Sequence, residues 1–120
     1  MANNQVRTRV RSADDGVAII ELNGDVTAAS ETELMDAYQE AGRDGTGGIV
    51  LDFTRLDYMN SSGIGLLVTL LVRAKRAHQQ VSAYGLSDHY REIFAITRLS
   101  EFIHVYDDEP GAVGHVPART

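Results

Sequence analysis

Hydrophobic and polar positions repeat along this chain with two different periods, and the changes of period mark its elements. From Gln5 to Ser12 the repeat is two residues: Val6, Thr8 and Val10 fall on one side, Arg7, Arg9 and Arg11 on the other. That is a half-buried strand with a solvated charged face. Ala13-Asp14-Asp15-Gly16 reads as a turn. Val17, Ala18, Ile19, Ile20 and Leu22 form a second strand, paired with the first as a hairpin, and Asn23-Gly24-Asp25 ends it. The period then lengthens. Leu34, Met35, Tyr38 and Ala41 make the apolar stripe of a helix that stops near Gly42. Ser30 with Glu33 has capping-box spacing, and Thr27 competes with Ser30 as the N-cap.

After the flexible loop Asp44 to Gly48, Gly48 to His78 combines a buried strand, a polar turn and a long helix. Ile49, Val50, Leu51 and Phe53 form the strand. Asn60, Ser61 and Ser62 read as the cap, and Gly63 to Ala77 as the helix body. Val81, Ala83 and Tyr84 make a short strand broken by Gly85. Ser87 caps a third helix over Asp88 to Thr97, with Tyr90, Ile93 and Phe94 inward, and Phe102, Ile103 and Val105 make a last strand. The polar, Gly- and Pro-containing stretch 107–120 reads as a flexible C-terminal tail. The order β-β-α-β-α-β-α-β gives about five strands and three main helices. It predicts one α/β domain over residues 5–106 with a mixed, partly parallel sheet.

Composition narrows the chemistry. At 120 residues the chain fits one domain with one core. Its formal net charge of −6 argues against a nucleic-acid partner. The local basic group Arg73, Lys75 and Arg76 falls in the last turns of the long helix, where cations complement the helix dipole. There is no cysteine, which removes disulfides, thiol catalysis and thiolate metal sites. The polar start lacks a signal-peptide apolar region. The run Ile64 to Val72 is far short of the ~20 residues a membrane span needs. A cytoplasmic protein without membrane insertion is the expectation.

No catalytic constellation emerges. The serines lack a G-x-S-x-G elbow. His78, His89, His104 and His115 are scattered, without the spacing of a triad or a metal site. Gly63-Ile64-Gly65 lacks the third glycine of a dinucleotide fingerprint and reads as close packing of helix on sheet. Asp25, Asp52 and Asp57 read as solvated acids rather than metal ligands. Neither catalytic residues, nor a metal, nor a cofactor is expected. Asn60-Ser61-Ser62-Gly63 admits two readings. One is a plain N-cap; the other is a phosphate carrier at a helix N-terminus, where the dipole tolerates added negative charge.

Three segments add a resemblance. L-N-G-D-V-T (Leu22 to Thr27), I-V-L-D-F (Ile49 to Phe53) and Y-M-N-S-S-G-I-G-L-L (Tyr58 to Leu67) resemble the STAS domain. More narrowly, they resemble bacterial anti-sigma factor antagonists, over about residues 5–106. The resemblance implies a non-catalytic protein that works by partner switching. A GHKL-type serine kinase, itself the anti-sigma factor, phosphorylates the signature serine, which matches Ser61, with Ser62 the alternative. The unphosphorylated form binds that kinase and frees the sigma factor; a PP2C-type phosphatase restores it. The implied partner-binding residues are Asp25, Thr27, Asp57, Asn60, Ser62, Gly63 and Gly65. Two positions depart from the pattern: Asn60 stands where Asp is usual, and Thr27 replaces a second loop acid. The alternative functions are an unphosphorylated STAS subunit of a transport or signalling complex, and a small-ligand or nucleotide sensor using the helix N-terminus as an anion site. A Ser61 hydrolase ranks last, since no base is identifiable.

Overall fold

A computed structural model describes residues 4–13, 16–43 and 46–114. Its strands are β1 (Arg7–Ser12), β2 (Val17–Val26), β3 (Gly48–Met59), β4 (Gln80–Tyr84) and β5 (His104–Tyr106). They form one sheet in chain order. β1 and β2 make the expected antiparallel hairpin, with Arg7 opposite Asn23 and Ser12 opposite Ala18. Asp14 and Asp15 of its turn, and Asp44 and Gly45 of the later loop, lie outside the described residues. β2 to β5 are parallel and are linked through α1 (Glu31–Ala41), α2 (Ser61–Arg76) and α3 (Asp88–Ile96). The mixed α/β sheet with three main helices is as predicted.

Parallel crossovers share one hand. With the strands in chain order, each crossover lays its helix on the same face. Ile20, Leu22, Leu51, Phe53 and Ala83 therefore share one core with Leu34, Leu67, Leu70 and Phe94. The alternate residues Val17, Ile19, Val50 and Tyr84 form a smaller core on the opposite face with Ala112. Cover on both faces explains why β2 and β3 begin as continuous apolar runs rather than alternating ones.

The structure departs from the sequence pattern in four places. First, β2 does not stop at Asn23 but runs to Val26, and β3 runs to Met59 instead of ending near Phe53. The two strands pair along this overhang through register shifts at Glu21/Asn23 and Gly24/Asp25. Their ladder bonds carry a polar stretch whose side chains show no apolar alternation. Second, Thr27 wins the capping competition, starting a 3-10 turn over Ala28–Ser30, and Ser30 makes no side-chain cap to α1. Glu33 bonds Thr8 instead, at 3.1 Å from the Thr8 nitrogen.

Third, Phe102 and Ile103 precede the last strand rather than forming part of it. Phe102 closes a 3-10 turn over Leu99–Glu101 and is 62% exposed. Fourth, the expectation of a loose tail from Asp107 is corrected for residues up to 114: Glu109–Gly114 is a helix, α4. Asp108 starts it by accepting from the Gly111 nitrogen at 2.8 Å, and Ala112 is fully buried. The Glu109 carboxylate binds Arg11 Nη2 at 2.5 Å and accepts from the Tyr84 hydroxyl at 3.0 Å. Arg11 also holds Glu21 at 2.7 Å. Arg11 holds the Glu109 carboxyl below its ordinary range, against the desolvation that opposes ionisation. Burial raises the Tyr84 phenol, and its hydrogen bonds to Asp52 and Glu109 raise it further. Residues 115–120 of that tail, with His115, lie outside the described residues.

Candidate functional site at the mouth of α2

The ends of the parallel strands β2 and β3 and the start of α2 converge at one end of the sheet. Asn60 is the N-cap of α2: its backbone is extended, and its Oδ1 accepts from the Gly63 nitrogen at 2.9 Å. Its own N–H donates to the Val26 carbonyl at 3.3 Å. Tyr90 of α3 fixes the preceding residue, its hydroxyl accepting the Met59 N–H at 2.8 Å. The helix mouth is thus anchored to three elements at once.

Asn60 caps the helix alone. Ser61 and Ser62 are both exposed, and among the described residues neither hydroxyl makes a hydrogen bond. The expectation that all three polar residues cap is corrected: one orphan N–H is taken by Asn60, and the fold leaves both serines uncommitted. The first turn of α2 carries no acidic residue, while Arg73, Lys75 and Arg76 occupy its last turn. The positive end of the helix dipole is therefore not offset by a carboxylate on its own turn.

The two glycines that follow have opposite surroundings. Gly63 is buried under the end of β2. A Cβ there would fall inside the contact distance of the Val26 carbonyl oxygen, 2.8 Å from the Val26 carbonyl carbon and 3.0 Å from Met59 Cγ. Gly65 is exposed, and a Cβ there would meet nothing within 4 Å. Close packing of helix on sheet, expected for both, holds for Gly63 only.

Beside this mouth lies an acidic pair. The Asn4 side-chain nitrogen donates to Asp25 Oδ1 at 3.1 Å and to Asp57 Oδ2 at 3.0 Å. The Asn4 carbonyl accepts the Asp25 N–H at 2.9 Å. Gly24 allows this approach: its φ is +106°, and a Cβ would stand 3.0 Å from the Asn4 oxygen. Thr27, half-buried, spends its hydroxyl on the Ala29 nitrogen at 3.3 Å. Tyr58, paired with Asp25 in register, is 50% exposed.

The predicted site residues Asp25, Thr27, Asp57, Asn60, Ser61, Ser62, Gly63 and Gly65 thus all lie on the converging ends of β2 and β3, on the loop that follows β2, or on the first turns of α2. Sequence reasoning missed Asn4, Tyr58 and Tyr90. Tyr58 had a local signal, an aromatic among polar residues next to the cap. Asn4 and Tyr90 had none, because their roles depend on partners distant in sequence. Asp52 bonds Thr54 through both the backbone nitrogen and the hydroxyl. Among the described residues no group of three or more His, Asp or Glu side chains could hold a metal ion, and no helix is long and apolar enough to cross a membrane.

A five-stranded mixed sheet with three helices on one face, and an N-S-S-G helix mouth with both serines exposed at the end of its central strands, define a class. The family model described as "Mlab, STAS domain" matches residues 10–105, and the chain belongs to the STAS domain family. Within it, the chain is similar to anti-sigma factor antagonists. It is 33% identical over 85 residues to the anti-sigma-B factor antagonist of Listeria monocytogenes, a match covering 69% of this chain and 70% of that one. The crystal structure of an anti-sigma factor antagonist from Mycobacterium paratuberculosis superposes with a TM-score of 0.81 at 18% identity, over 96% of this chain and 97% of that one. The Bacillus cell fate determinant SpoIIAA in its phosphorylated form gives 0.70 at 20% identity, over 92% and 99%.

Proposed function

We propose that this protein is a cytoplasmic anti-sigma factor antagonist that works by partner switching, with Ser61 as the phosphorylated residue. One observation carries the reading: Asn60 performs the capping, so the Ser61 hydroxyl is exposed and free of structural duty. A phosphate there sits at a helix N-terminus whose first turn holds no acid. It adds about −1.5 to −2 charges without displacing a bond the fold needs. The SpoIIAA structure named as the phosphorylated form lends the same reading support from the fold.

In the unphosphorylated state a GHKL-type serine kinase, acting as the anti-sigma factor, docks over Asp25 and Thr27, over Asp57 and over Asn60 to Gly65. Gly65 lets the partner backbone come close, since no side chain stands above it. Asn4 holds the two carboxylates side by side. Phosphate on Ser61 enlarges that negative patch within the interface. Like-charge juxtaposition of this kind costs several kcal/mol, and ~4 kcal/mol weakens binding about a thousandfold. A PP2C-type phosphatase reverses the change. The protein itself supplies a surface and a hydroxyl, not a catalyst.

Asn60 in the position where the family signature carries Asp favours a second reading, an unphosphorylated STAS subunit using the same surface as a permanent contact. Two measurements on protein from the native host separate the readings. Intact mass with peptide mapping is expected to place one phosphate on Ser61. A pull-down from native lysate is expected to capture a GHKL-type kinase with wild-type bait and to lose it with Ser61→Asp bait. A protein that never carries phosphate and captures the same partner with either bait sinks the switch.

A further inference from the structure

A groove of about 850 Å³ opens at the opposite end of α2, between its outer side and the turn Leu99–Glu101. Its walls are Val68, Leu71 and Val72 on the helix, with Val81, Leu99 and Phe102 facing them. Val68, Val72 and Phe102 are 42%, 45% and 62% exposed, which makes this the largest grouping of exposed apolar side chains among the described residues. Lys75, His78, His104 and Glu101 also line it. Lys75 forms no ion pair among the described residues.

The stop of α2 adds an independent mark. The Gln79 nitrogen donates to the Ala74 carbonyl at 2.8 Å and the His78 nitrogen to the Lys75 carbonyl at 3.1 Å. These are the two bonds of a Schellman ending, whose left-handed residue is usually glycine. Here it is His78, at φ +57°. A β-carbon in that conformation costs about 1–2 kcal/mol. Strain of this kind persists where a side chain serves a site, and His78 lines the groove.

We infer that this groove binds a small amphipathic anion, a single alkyl chain ending in a carboxylate, with the chain along α2 and the head group at Lys75 and His78. Charge complementarity sets the head group: Lys75, His78 and His104 offer donors against the one carboxylate, Glu101, in a groove whose remaining lining is apolar apart from Gln79 and Gln80. Size sets the occupant class. Twelve residues line the groove, against the roughly 20–30 per side of a stable protein interface. Its volume falls in the ~300–1,000 Å³ range of small-molecule sites. The stretch from Val68 to Lys75 measures about 10 Å along the helix, the scale of a medium-length alkyl chain. The site is separate from the helix mouth, since Ser61 and Lys75 are about 21 Å apart along α2.

The test is titration of the ¹⁵N-labelled full chain with decanoate, below its micelle threshold, against decanol and butyrate. Saturable shifts are expected at residues 68–81 and 99–104, with decanoate binding about tenfold tighter than either comparator. Val72→Asp, at an exposed position that leaves the core intact, is expected to abolish binding, and Glu101→Gln to tighten decanoate but not decanol. His78→Gly is the sharpest variant: it relieves the left-handed strain, so it should raise the melting temperature while weakening decanoate several-fold. Ser61→Ala should change nothing. The inference is overturned if decanol binds as tightly as decanoate, if the shifts lie elsewhere or do not saturate, or if Val72→Asp binds normally. It is also overturned if the ligand-free protein is a dimer that Val72→Asp dissociates, since a second copy would then be the occupant.

Discussion

Gly63 and Gly65 are two residues apart on one helix, yet they belong to different regions with different tasks. The underside of the α2 mouth is packed: Val26 and Met59 press on Gly63, Asn60 caps the helix, and Tyr90 holds the strand end. The outer side is open: Ser61, Ser62 and Gly65 are exposed, and the serine hydroxyls bond nothing among the described residues. The contrast teaches that a run of similar small and polar residues can divide its labour residue by residue. Residues that the fold uses cannot be changed without unfolding cost, and residues it leaves free can carry a signal.

Four tests probe that division, in decreasing order of effect. Gly63→Ala drives a methyl group into the Val26 carbonyl, with backbone rather than a flexible side chain in the way. We expect a loss of about 3 kcal/mol or more, read by denaturant unfolding. A variant as stable as wild type would show that the packed side is not packed. Asn60→Ala removes the side-chain cap of α2 and is expected to cost ~1 kcal/mol, while Ser61→Ala stays within about 0.5 kcal/mol of wild type. Equal losses at the two positions would mean that the serine also serves the fold.

The third concerns the α4 anchor, a region the fold does use. The folded Glu109 carboxyl ionises at lower pH than its ordinary value of 4.5. Its contribution is therefore complete above that value and is lost as pH falls through the lower, folded value. The side chain is 38% exposed, so screening limits the term to about 0.5 kcal/mol. Glu109→Gln should lower stability by that amount at pH 7, and the gap should shrink progressively as the pH falls below 4.5. A gap that widens on acidification would contradict the assignment to Arg11. The smallest effect is Gly65→Ala. In open space it should gain a few tenths of a kcal/mol of helix stability, while impairing partner docking in the same pull-down.

Much of the fold was legible from pattern. The two-residue repeat of Arg7 to Ser12, the continuous apolar starts of β2 and β3, and the Asn60 and Ser87 caps each act over a few residues, so local sequence carries them. What escaped depends on distant partners. The Tyr58 end of β3 is a strand because it pairs with the overhang of β2. Helix α4, a Gly- and Pro-containing stretch, buries Ala112 against β2, β3 and β4 and is tied through Glu109 to Arg11, 98 residues away. Asn4 joins the site only because Asp25 and Asp57 meet there, 21 and 53 residues on. Of the site itself, position was readable and role was not. Pattern placed Asn60, Ser61 and Ser62 together, and only the geometry separates the cap from the free hydroxyls.

Under the proposed function, charge on Ser61 changes binding without changing the fold. The most direct measurement compares the affinities of Ser61-phosphorylated and unmodified protein for the captured kinase, with unfolding curves for both. We expect a loss of affinity of about a thousandfold with stabilities within ~0.5 kcal/mol of each other. Affinities within threefold, or a phosphorylated protein that binds poorly because it has unfolded, would contradict it.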